Sequence, residues 1–166
     1  MDKKITILIL CLIFSDYSNT FAVQFQDYGW GKAIGEVKEM LKNKQKGFLT
    51  SGGERVITYN DKILDEPCKV SLIFTPSSKL LAAVQILWEE VYVGNKLKAL
   101  LINKYGQPFQ QTKFIDEYLW NLPTKGEVLT LDYTFNGAKL SYYGGGYYRR
   151  YEREEKELAS AETEKF

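Results

Sequence analysis

Apolar residues recur at helical spacing in two places along the chain and alternate with polar residues in most of the stretches between. Ile34, Val37, Met40 and Leu41 are separated by Lys38, Glu39 and Lys42, which predicts an amphipathic helix of about three turns. Asn43, the lysines after it and Gly47 mark its end. Leu97, Leu100 and Leu101 form the apolar face of a second helix, with Asn95 after Gly94 as the expected N-cap and Lys104 near the negative end of the dipole. This helix has the sharpest stop in the sequence. In Tyr105-Gly106-Gln107-Pro108, Gly106 suits a left-handed residue just past the helix, and Pro108 prevents continuation.

The alternating stretches predict strands. A short strand at 56–59 follows the turn Ser51-Gly52-Gly53, is closed by Asn60-Asp61 and leads into a loop at 62–67. A strand at 69–74 puts Val70, Leu72 and Phe74 on one face. After Pro76-Ser77-Ser78, a longer strand from Lys79 carries Leu80, Ala82, Val84, Ile86 and Trp88 in phase, and Glu89-Glu90 ends it. Past the second helix, 112–120 is strand-like, with Tyr118 and Trp120 in phase, and 123–126 is a turn. Leu129, Leu131, Tyr133 and Phe135 then alternate with Thr130, Asp132 and Thr134, the pattern of a sheet with one wet face. Asn136-Gly137 is the strongest hairpin signal, and 139–143 pairs back as the last strand.

The two halves match at an offset of about 60 residues. Val37, Met40 and Leu41 correspond to Leu97, Leu100 and Leu101. Ile57 and Tyr59 correspond to Tyr118 and Trp120, and Val70, Leu72 and Phe74 to Leu131, Tyr133 and Phe135. The expectation is an α+β fold of two helix-strand-strand-strand repeats, at about 28–90 and 91–143, forming an antiparallel sheet with two helices on one face. Residues 23–143 make the single domain. Gly144-Gly145-Gly146 is read as a hinge before a charged helical tail reaching residue 166, which has few apolar residues to bury.

At the N-terminus, Lys3 and Lys4 precede an apolar run from Ile5 to Phe14, followed by small and polar residues ending Asn19-Thr20-Phe21-Ala22. This predicts an export signal over 1–22, a mature chain from near Val23 and a periplasmic or secreted location, with no stable transmembrane span once the signal is removed. Cys11 lies inside the apolar run behind Leu10 and does not fit a lipid-attachment site. Cys68 is then the one cysteine of the mature chain and reads as a buried small side chain.

Composition narrows the chemistry. The chain has no histidine, which removes the commonest general base and a common metal ligand. Its 22 basic and 21 acidic residues give a net charge of +1, without the basic excess of a nucleic-acid binder. No phosphate-loop fingerprint is present, and Asp61, Asp65 and Glu66 lack calcium-loop spacing. Glu89-Glu90 and Asp116-Glu117 are neighbours that point to opposite faces of a strand. A Ser–Lys pair built on Ser71 or Ser78 has no motif behind it. The expectation is a protein with no catalytic residues, no metal site and no cofactor.

The 12 tyrosines stand out instead. The cluster Tyr142, Tyr143, Tyr147, Tyr148 and Tyr151, with Arg149 and Arg150 beside it, matches the composition of protein contact patches, and Tyr142, Tyr143, Tyr147, Tyr148 and Arg149 are the candidate binding residues. Trp30, between Gly29 and Gly31, reads as a core plug.

An export signal, Tyr28-Gly29-Trp30-Gly31 before the first helix, Lys104-Tyr105-Gly106-Gln107-Pro108 after the second, Trp120 in a strand and Leu131-Asp132-Tyr133 in a later one together resemble small exported bacterial proteins of uncharacterised function. The tandem helix-plus-sheet plan is similar to the beta-lactamase-inhibitor-protein type and to small outer-membrane assembly lipoproteins. The resemblance implies protein binding, with another envelope protein as the partner, and carries over no functional residue. The favoured expectation is a non-enzymatic extracytoplasmic protein-binding or envelope-associated module. A small-ligand carrier with a pocket between sheet and helices is the alternative, and a hydrolase without histidine comes third.

Overall fold

A computed structural model describes residues 29–111, 117–122 and 126–163. The expected export signal and most of the aromatic lead-in before Trp30 lie outside the described residues. So do 112–116 of the strand expected at 112–120 and most of the turn at 123–126.

Helix α1 (Ile34–Asn43) is followed by β1 (Leu49–Ser51), β2 (Val56–Ile63), β3 (Glu66–Phe74) and β4 (Leu81–Trp88). Helix α2 (Val91–Tyr105) is followed by β5 (Gln110–Gln111), β6 (Glu117–Asn121), β7 (Val128–Thr134) and β8 (Gly137–Tyr143), and α3 (Gly145–Thr163) comes last. The fold is α+β, as the alternation predicts. All eight strands form one antiparallel sheet in the order β1-β2-β3-β4-β8-β7-β6-β5. β1 and β5 are the short outer edges, and neither is foreshadowed by the hydrophobic pattern. β4 and β8 meet at the centre, from Ala83 opposite Tyr143 to Trp88 opposite Ala138.

Register sorts the side chains into two faces. Ile57, Tyr59, Val70, Leu72, Val84, Ile86, Leu140, Leu131 and Trp120 share one face, and they form a single core with Val37 and Leu41 of α1 and Val93, Leu97 and Leu101 of α2. Both of these helices therefore cover the same face, called here the helix face. The α2 stop is fixed to the sheet, because Trp120 Nε1 donates to the Gly106 carbonyl at 2.9 Å and Gly106 has φ 81°. Among the described residues no helix is long and apolar enough to cross a membrane.

Several local expectations change for identifiable reasons. Helix α2 begins at Val91 rather than after Asn95. Gly94 lies inside the helix, where a Cβ would come within 2.7 Å of the Tyr133 ring and 3.0 Å of the Ala138 Cβ, and Asn95 accepts a hydrogen bond from the Tyr133 hydroxyl. The glycine thus serves close helix–sheet packing, and the asparagine side chain is not needed as a cap. The loop expected at 62–67 is instead a tight hairpin. β2 runs on to Ile63, which pairs with Glu66, and Leu64 and Asp65 both adopt positive φ. The last hairpin turns at Phe135-Asn136 rather than Asn136-Gly137, since Thr134 pairs with Gly137. Phe135 therefore leaves the face of Leu131 and Tyr133 and stands 99% exposed. Gly137 has another task, because a Cβ there would lie 1.8 Å from the Trp88 carbonyl oxygen.

Two glycine substitutions should have opposite effects. Gly137→Ala drives a methyl into backbone at the central seam and should cost about 3 kcal/mol or more. Gly35→Ala in α1 meets nothing within 4 Å and should add about 0.5 kcal/mol. Urea unfolding of the two variants beside the parent checks both signs.

Candidate functional site

The five candidate binding residues do not form one patch. Successive strand residues point to opposite faces, so Tyr142 and Tyr143 are separated by the sheet. Tyr142 lies on the helix face, with its ring centroid 4.9 Å from that of Trp30. Its hydroxyl donates to Glu127 Oε2 at 2.5 Å, and Trp30 Nε1 donates to Glu127 Oε1 at 2.9 Å. Burial and the Glu127 carboxylate push the Tyr142 phenol well above the ordinary tyrosine range. Trp30 is the wedge its glycines imply, and its ring also fills the space where a Gly144 Cβ would stand.

Tyr143 lies on the opposite face and packs against Tyr148 of α3 at 4.5 Å, and Tyr148 stacks on Tyr151 at 5.8 Å with planes 4° apart. Tyr147 is turned toward Gly31, whose N–H donates to the Leu81 carbonyl at the start of β4, and Arg149 is exposed near Gly126. Of the predicted aromatic cluster, then, Tyr143, Tyr148 and Tyr151 meet on the second face.

Helix α3 crosses one end of this second face. Residues 144–146, expected to be a hinge, are part of the junction: Gly144 is buried and its N–H donates to Ala82 O at 2.9 Å, while Gly145 begins the helix. The helix, expected as an exposed tail, turns Tyr148, Tyr151, Glu154, Glu155 and Leu158 toward the body of the protein. Glu154 is 5% exposed. Its carboxylate accepts the N–H groups of Ser77 (2.7 Å) and Ser78 (3.0 Å), the Ser78 hydroxyl (2.7 Å) and Arg150 Nε (2.9 Å). Arg55 reaches Glu155 at 2.7 Å. Desolvation alone would raise the Glu154 pKa, but these donors outweigh it and hold the carboxyl at about 2. Composition gives no hint of such a site, because the donors sit in a turn about 76 residues away in sequence.

The rest of the second face is uncovered. Leu49 on β1 and Leu87 on β4 stand 77% and 38% exposed there. A groove of about 890 Å³ is lined by both, together with Thr58, Asn60, Lys69, Glu89 and Glu90. Register aligns Leu49 with Gln85, so strand spacing and the two-residue step to Leu87 put the two leucines about 16 Å apart. The sequence held a signal for this face. Leu81-Ala82-Ala83-Val84 is apolar in both phases, as in a strand covered on both sides, and Leu87 is apolar in the wet phase.

The remaining candidate chemistry is quiet. Ser71 Oγ lies 3.4 Å from Thr58 Oγ1, and the Ser78 hydroxyl is committed to Glu154 and Thr75. Cys68 is buried, and desolvation together with the Asp61 charge pushes its thiol up to about 11. Among the described residues no group of three or more potential ligands could hold a metal ion.

No known family model matches this chain, and no curated protein or solved structure matches it either.

The Glu154 seat predicts acid sensitivity. A carboxyl whose pKa falls on folding, from 4.5 to about 2, stabilises the docked helix fully above the unfolded value. That contribution should fade as pH drops from about 4.5 toward about 2. Near-ultraviolet circular dichroism of the Tyr143–Tyr148–Tyr151 stack should lose intensity across this window. Glu154→Gln, which has no charge to lose, should show a flat profile there.

Proposed function

We propose that this protein is a non-enzymatic extracytoplasmic binding module that holds a protein partner on the uncovered part of the second face. The observation that carries this reading is the pair of exposed leucines, Leu49 and Leu87, on the part of the second face that α3 leaves uncovered. Exposed leucines set among polar and charged side chains such as Asn60, Lys69 and Glu89 match the mixed composition of protein contact sites. The location rests on the export-signal pattern of residues 1–22. The helix face is a poorer candidate, because Trp88, Trp120, Phe74 and the α1 and α2 leucines fill the space between helices and sheet.

The reading includes an internal duplication. A helix followed by four strands occurs once before Val91 and once from it onward, and the strand order mirrors about the β4–β8 seam. That plan supports the likeness to the beta-lactamase-inhibitor-protein type, and through it a role in binding other proteins.

Photo-crosslinking side chains placed at Leu49 and Leu87 test the function in cells that export the protein. A discrete protein adduct should form at both positions and be absent at the exposed Lys42 on α1. It should also be lost from the Leu49 position when Leu87→Asp is added. Adducts that are equal at all three positions, or missing from both groove positions, would overturn the proposal.

A further inference from the structure

We infer that the turn at 75–78 and the adjoining end of the second face form a receptor for a carboxylate-bearing amphipathic helix. In the isolated chain α3 fills it, and a partner protein's helix of the same pattern can take its place. The inference stands apart from the groove between Leu49 and Leu87.

The receptor is built by the turn itself. Thr75 N donates to Leu80 O at 2.8 Å, Leu80 N donates to Thr75 Oγ1 at 2.9 Å, and Lys79 N donates to Thr75 O at 3.1 Å. This framework holds the N–H groups of Ser77 and Ser78 and the Ser78 hydroxyl on one point, 2.7–3.0 Å from the Glu154 oxygens. Two adjacent backbone donors and a hydroxyl aimed at one carboxylate are the elements of an anion nest. The helix contributes the carboxylate and one further donor, Arg150 Nε at 2.9 Å. The groups around it favour a negative occupant. On the body of the protein, Arg55, just before β2, engages the neighbouring Glu155, and Lys79 beside the turn is bound to the Gly53 carbonyl.

The pattern that the receptor reads is Tyr148, Tyr151, Glu154, Glu155 and Leu158, one face of a helix at spacings of three and four. Tyr148 rests on Tyr143, the carboxylate enters the nest and Glu155 meets Arg55. Tyr148, Tyr151, Glu155 and Leu158 are only half-buried, and the intervening residues are exposed. A helix held largely by one carboxylate and a few half-exposed contacts can be exchanged for another without opening the core. An internal occupant lowers the apparent affinity for any competitor, as expected of a seat that is free in only a fraction of molecules.

The test uses the full chain, its Glu154→Ala variant and two synthetic peptides. One peptide has the sequence of residues 147–158, and the other is the same peptide carrying Glu154→Ala. Hydrogen exchange of α3 should be about tenfold faster or more in the variant protein than in the parent. Fluorescence anisotropy should show the native peptide binding the variant protein at least about tenfold more tightly than it binds the parent, and about tenfold more tightly than the substituted peptide does. Ser78→Ala, which removes one donor and leaves the helix sequence intact, should also speed α3 exchange and serves if the first variant fails to fold. Unchanged α3 exchange, or equal binding of the two peptides to a variant whose α3 is released, would overturn the inference.

Discussion

β4 and β8 run side by side through six backbone pairs at the middle of the sheet, and most of the molecule is hung from that seam. The contact is tight at its lower end, where Gly137 passes the Trp88 carbonyl with no room for a side chain. Alternation along the two strands sends Val84, Ile86, Tyr142 and Leu140 into the layer under α1 and α2. The same alternation sends Ala83 and Tyr143 to the side taken by α3. Since a single residue, Gly144, joins β8 to α3, the seam also sets where the last helix can begin.

The layer beneath α1 and α2 was legible because its signals are local and periodic. Val37 and Leu41, Leu97 and Leu101, and the alternating residues of β3 and β4 are buried where spacing puts them. Errors arose where a residue with a strong local preference answers to a distant neighbour. Gly94 and Gly137 read as punctuation, but each is a glycine because another element comes too close for a Cβ. Leu64 and Asp65 take positive φ without a glycine, so the hairpin they form carried no turn signature.

The candidate site was legible only in part, for a similar reason. Clustering in sequence grouped Tyr142 with Tyr143, and strand geometry divides them. The charge alternation of α3 indicates a solvated helix, and three of its sides agree. What it conceals is Glu154, whose burial depends on two backbone amides in a serine turn. No property of the helix alone distinguishes this glutamate from Glu152 or Glu157. Exposed Leu49 and Leu87 lie in strands that scan as ordinary, and they come to share one face only when β1 to β4 are laid in order.

The glycine at the seam has a consequence for ancestry. A position that excludes even a methyl group is closed to ordinary drift, while surface turns and helix flanks are free to change. Distant descendants of the same fold would then share little overall identity yet keep a residue lacking a Cβ opposite a strand-end carbonyl. The close approach of Gly137 to the Trp88 carbonyl is therefore a geometric mark by which a protein of this fold could be recognised when its sequence has drifted.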